Sequence, residues 1–103
     1  MSGDFAFEVV DQDDVHVVAL YGQLDLANAD RVRDALLAVG GTRIVVDLSG
    51  LQVLDSSGIA ALLGARSRIT ETGNGFELRG AKGIVRRVLE VTGLTHLLVE
   101  SAG

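Results

Sequence analysis

Few side chains in this 103-residue chain have the types and spacing to do chemistry. It has no cysteine, which removes thiolate chemistry and disulfides, and its two histidines, His16 and His96, stand too far from other ligands to suggest a metal cluster. Asp25 and Asp47 fall at or just after expected strand ends, where α/β sites gather, but turn formation and capping account for both. The distinctive segment is Leu-Asp-Ser-Ser-Gly at 54–58, where a hydrophobic stretch gives way to an amphipathic one. Ser56 and Ser57 then lie at or inside a helix N-terminus. Free backbone N–H groups and the helix dipole attract anions there, so a phosphate carried by Ser57 fits without unfolding the helix. The same residues also make an ordinary helix start, with Asp55 or Ser56 as cap and Ser57 in the first turn.

Other chemistries lack their motifs. No G-x-S-x-G elbow surrounds the serines, and neither G-x-x-x-x-G-K-[ST] nor G-x-G-x-x-G occurs. The Gly-Asn-Gly at 73–75 reads as a helix stop and turn. A small enzyme built on Asp25, Asp47 and Asp55 is therefore the weakest of the functional readings. Arg86 and Arg87 could meet an acidic partner, although an exposed pair on a solvated helix face serves equally.

The elements that must position Ser57 follow from the hydrophobic pattern. Phe5, Phe7 and Val9 alternate with Ala6 and Glu8, and after the polar stretch 11–14 a second β-like run covers Val15 to Tyr21, giving an N-terminal hairpin ended by Gly22. Asn28 is placed to cap a helix with Ala29, Val32, Leu36 and Val39 on its apolar stripe, stopped by Gly40. Ile44 to Val46, closing at Asp47, reads as a central parallel strand buried on both faces. Ile59, Leu62, Leu63 and Ile69 mark a second helix closed by Gly73, and Phe76 and Leu78 a further strand. Ile84, Val85, Val88, Leu89 and Thr92 suggest a third helix ending at Gly93, with Leu97 to Val99 as a last short strand. The expected fold is one α/β domain over 1–103 in the order ββαβαβαβ: a mixed sheet with an N-terminal hairpin and right-handed crossover helices.

Composition narrows the function classes. Hydrophobic residues make up 48% of the chain but aromatics only 4%, so the core is aliphatic and no base-stacking surface is expected. The net charge is −5, and residues 1–30 hold seven Asp or Glu and no Lys or Arg, while all nine cations follow. Nucleic-acid binding, which needs clustered cations, is disfavoured. No apolar run approaches the roughly 18 residues of a membrane span, and the start of the chain lacks the pattern of a leader, so a soluble, cytoplasmic protein is expected.

Three ordered blocks carry a resemblance: GQLDLANADRVRDALL at 22–37, IVVDLSGLQVLDSSGIAALL at 44–63 and VRRVLEVTGL at 85–94. Together they resemble the STAS domain family, specifically its stand-alone bacterial anti-sigma factor antagonists. The departures are Gln23, where an acidic residue is usual, and the missing proline near the first helix. The resemblance implies a partner switch without catalytic activity or a cofactor of its own. An anti-sigma factor that is a serine kinase binds the unmodified antagonist and releases its sigma factor, phosphorylation ends the binding, and a metal-dependent serine phosphatase restores it. It places the modified serine at Ser57, with a partner-binding surface comprising Asp25, Asp55, Ser56, Ser57, Gly58 and Ile59. The alternative within the family is a non-catalytic subunit docked on a transporter ATPase or a stress-signalling scaffold.

Overall fold

The computed structural model describes residues 5–40 and 43–98. β1 (Phe5–Gln12) and β2 (Val15–Leu24) form the antiparallel hairpin. Asp13 turns it in the left-handed region at φ 57, which Asp tolerates better than most residues. After a short loop come α1 (Ala29–Val39), β3 (Arg43–Leu54), α2 (Ser56–Glu71), β4 (Gly75–Arg79) and α3 (Gly83–Val91). The sheet order is β1-β2-β3-β4, with β2, β3 and β4 parallel and β1 antiparallel at the edge. The fold is the mixed α/β domain expected from the pattern.

Alternation along the strands sorts two faces. One carries Val18, Leu20, Ile44, Val46, Leu48, Phe76 and Leu78 into a single core, met there by Val32 and Leu36 of α1, Leu62, Ala65 and Ile69 of α2, and Val85 and Leu89 of α3. Each such fully buried aliphatic side chain contributes about 1.5–3 kcal/mol relative to exposure. On the other face Val17 and Val45 pair across β2 and β3, flanked by ion pairs of Arg43 with Glu77 and Arg79 with Asp47. Tyr21 donates to Glu8 at 2.8 Å, and that bond holds the phenol above its ordinary 10.0. A Cβ on Gly50 would lie 2.4 Å from the Tyr21 ring, so glycine is required beneath it.

The structure corrects the sequence reading in four places. Gly22 does not end β2: at φ 89 it sits at a register shift, and the strand runs on to Leu24. β3 does not stop at Asp47 but reaches Leu54, spending its 12 residues against the 10 of β2 through two irregularities, one after Asp47 and one at Gln52. Bulges of this kind add twist and keep a strand paired while shifting its side chains. Ile84 lies on the outer side of α3 and is 64% exposed, leaving Val85 and Leu89 as the buried stripe. Where a final strand was expected, Thr95–Leu97 forms a 3-10 turn and Leu98 makes one parallel bridge to Leu78; Val99 lies outside the described residues.

Candidate functional site

The register Leu24↔Leu54 brings the C-terminal ends of β2 and β3 together, and with them the 25–28 loop and the start of α2. The Asp55 N–H donates to the Leu24 carbonyl at 3.2 Å, tying the two connections. Asp55 is then the helix cap: its carboxylate accepts from the Gly58 N–H at 2.9 Å, and its carbonyl accepts from Ile59 at 3.0 Å. Ser56 and Ser57 occupy the first two helical positions. Ser56 is exposed and Ser57 half-buried, and among the described residues the Ser57 hydroxyl makes no hydrogen bond.

Gly58 is buried, and a Cβ there would meet Leu24 Cγ at 2.7 Å, Leu54 Cδ1 at 2.8 Å and the Leu24 carbonyl oxygen at 2.9 Å. The close approach that this glycine permits is made in part by β2 of the same chain, through Leu24. Ile59 likewise turns inward, packing partly buried against the core. Asp25 belongs to the adjoining loop, with its carboxylate accepting from the Ala27 N–H at 3.0 Å and its carbonyl accepting from Asn28 and Ala29.

Two residues of this loop carry more than the sequence showed. Asn28 is only 5% exposed and does not cap α1 with its side chain. Its amide instead accepts from the Asp25 N–H at 3.0 Å and donates to the Gln23 carbonyl at 2.7 Å, folding the loop onto itself. That geometry leaves Leu26 of the same loop outward, 79% exposed. Its signal in sequence was a leucine between Asp25 and Ala27, in a segment where an apolar stripe does not require one. Around Ser57 the segment carries the acidic Asp55 and the exposed Val53, and no Lys or Arg lies between Arg43 and Arg66 in sequence.

Asp47 lies apart from this turn, midway along β3. Partial burial alone would raise its carboxyl, but the Ser49 backbone N–H at 2.9 Å, the Ser49 hydroxyl and the Arg79 guanidinium at 3.5 Å outweigh that and hold it below its ordinary 3.8. Asp25, Asp47 and Asp55 therefore serve a turn, a bulge and a cap in three separate hydrogen-bonded settings. Among the described residues no group of three or more His, Cys, Asp or Glu could hold a metal ion, and no helix is long and apolar enough to cross a membrane.

A sheet with this strand order, a capped serine pair opening α2 and helices over one face define a small α/β module. The family model described as "Mlab, STAS domain" matches residues 7–100, and the chain belongs to the STAS domain family. It is 32% identical over 88 residues to the anti-sigma F factor antagonist of Paenibacillus polymyxa, covering 82% of this chain and 75% of that protein. An anti-sigma factor antagonist from Mycobacterium paratuberculosis superposes with a TM-score of 0.82 at 27% identity, covering 97% of this chain and 87% of the other. The phosphorylated form of the Bacillus cell fate determinant SpoIIAA shares the fold, with a TM-score of 0.71 at 22% identity over 94% of this chain and 92% of that one.

Proposed function

We propose that the chain is an anti-sigma factor antagonist: a non-catalytic, cytoplasmic binding protein that captures an anti-sigma factor with serine-kinase activity and is switched off by phosphorylation of Ser57. The observation that carries this reading is the Ser57 hydroxyl, half-buried in the first turn of α2 and, among the described residues, without a hydrogen bond, in a segment with no cation between Arg43 and Arg66. The relatives named as antagonists support the partner class.

The physics of the switch follows from charge. An unmodified serine, uncharged and half-buried, suits an interface whose centre excludes water. Phosphorylation adds about −1.5 to −2 charges at neutral pH. In a segment that already carries Asp55 and has no Lys or Arg from 44 to 65, that charge acts in this reading by repelling and hydrating the interface. The helix N-terminus tolerates the anion, which leaves the antagonist folded and able to be restored by a serine phosphatase.

The reading is tested by incubating the protein with a purified serine-kinase anti-sigma factor and ATP, mapping the phosphate by mass spectrometry and measuring binding calorimetrically. The expected result is one phosphate on Ser57, none on the Ser57→Ala variant, and binding of Ser57→Asp weakened by at least about tenfold, or ~1.4 kcal/mol. Phosphate on Ser56 instead, or Ser57→Asp binding as well as the wild type, overturns it.

A further inference from the structure

A second surface lies away from Ser57, where the edge strand β1 extends beyond the helical layer. The register Phe5↔Gly22, Phe7↔Leu20, Val9↔Val18 and Asp11↔His16 puts Phe5, Phe7, Val9 and Asp11 on the helix-bearing face. α1 packs beside α2 and over β2, and among the described elements the next position in the layer, over β1, is vacant. The result is a groove with Phe7 and Val9 on its floor and Ala35, Ala38 and Val39 of α1 as its wall. Val9 is 43% exposed there.

The groove is electrically polarised along its length. At one end the Arg31 guanidinium stands 5.6 Å from the centroid of the Phe5 ring, on the side of α1 that carries Ala35 and Ala38 at the next helical spacings. At the other end Asp11 pairs with His16, and the turn beyond adds Asp13 and Asp14. We infer that this groove is the docking site of one amphipathic helix from a partner protein, lying antiparallel to α1, with cationic residues in its N-terminal turn and carboxylates in its C-terminal turn. The short side chains of Ala35 and Ala38 admit a neighbouring helix at the usual 8–10 Å axis separation. Direction is set by charge: the positive, N-terminal end of a helix dipole belongs at the Asp11 to Asp14 end and the negative end at Arg31. The length is set by β1, because the six residue steps from Phe5 to Asp11 span about 20 Å, or about 13 residues of helix.

The test uses the whole chain, isotopically labelled, titrated with a synthetic 14-residue peptide. The peptide has a leucine stripe at i, i+3, i+4 and i+7, lysines in its first turn and glutamates in its last. A second peptide of the same composition has the charged turns exchanged. The exchange improves that peptide's own helicity, so a preference for the first cannot arise from helix content. The expected result is amide shifts confined to β1 and α1, with the first peptide binding at least about fivefold more tightly. Ala38→Gln, at an exposed position, should abolish binding without changing the thermal midpoint, and Arg31→Gln should bring the two peptides within about twofold of each other. Equal affinities for wild type, shifts mapping to another face, or self-association of the protein through β1 and α1 in place of peptide binding overturn the proposal.

Discussion

The Ser57 hydroxyl stands two residues into α2, and Gly58 is where the shape of that turn is fixed. Alanine is the better helix former by about 1 kcal/mol, so in an open helix Gly58→Ala would stabilise. Here the added Cβ would lie 2.9 Å from the Leu24 carbonyl oxygen, a backbone atom also engaged by the Asp55 N–H. It cannot move without breaking that bond. Overpacking therefore wins, and Gly58→Ala should lower stability by about 1–3 kcal/mol in urea unfolding. An unchanged or raised midpoint would show that Leu24 and Leu54 can yield.

At the scale of elements, α2 is the longest helix and depends on one cap. The Asp55 carboxylate satisfies the Gly58 N–H, so Asp55→Ala should cost about 0.5–2 kcal/mol. Asp55→Asn, which keeps an acceptor, should lose only part of that in the same denaturation series, whereas equal losses would place the effect outside the cap. This start was legible in sequence because Asp-Ser-Ser-Gly precedes an amphipathic run. The strands and helices were equally plain, since alternation over Phe5 to Val9 and the stripe of α1 follow directly from periodicity. The continuation of β3 was not legible. Its two irregularities break the alternation after Asp47, and the bond between the Asp47 carboxylate and the Ser49 N–H that stabilises the first is a contact of geometry. Leu26 and Asn28 were missed for a related reason. Their exposure and burial are decided by how the loop folds on itself, and Asn28 satisfies the loop's own backbone where a helix cap was expected.

At the scale of the molecule, the face opposite the helices depends on pairs of charged groups, so stability varies with acidity. Asp47 titrates below its ordinary 3.8 in the folded state. The unfolded chain therefore takes up that proton first, and the contribution is complete above the unfolded value and lost as pH falls through the folded one. Wild type should exceed Asp47→Asn in urea midpoint at neutral pH, and the gap should narrow progressively as pH falls below the ordinary 3.8. A gap that stays constant across that range would mean that the carboxylate's charge contributes nothing.

β4 ends at Arg79, opposite Asp47, while β3 continues to Leu54, so beyond that level β3 is bonded on one side only, to β2. Its first half is clamped between two strands; its second half is a margin. Leu51 and Leu54 on that margin are each only 4% exposed in the same core as Ile44 and Val46, so side-chain packing takes over where the second ladder stops, and the turn that opens α2 is anchored by the core rather than by the sheet.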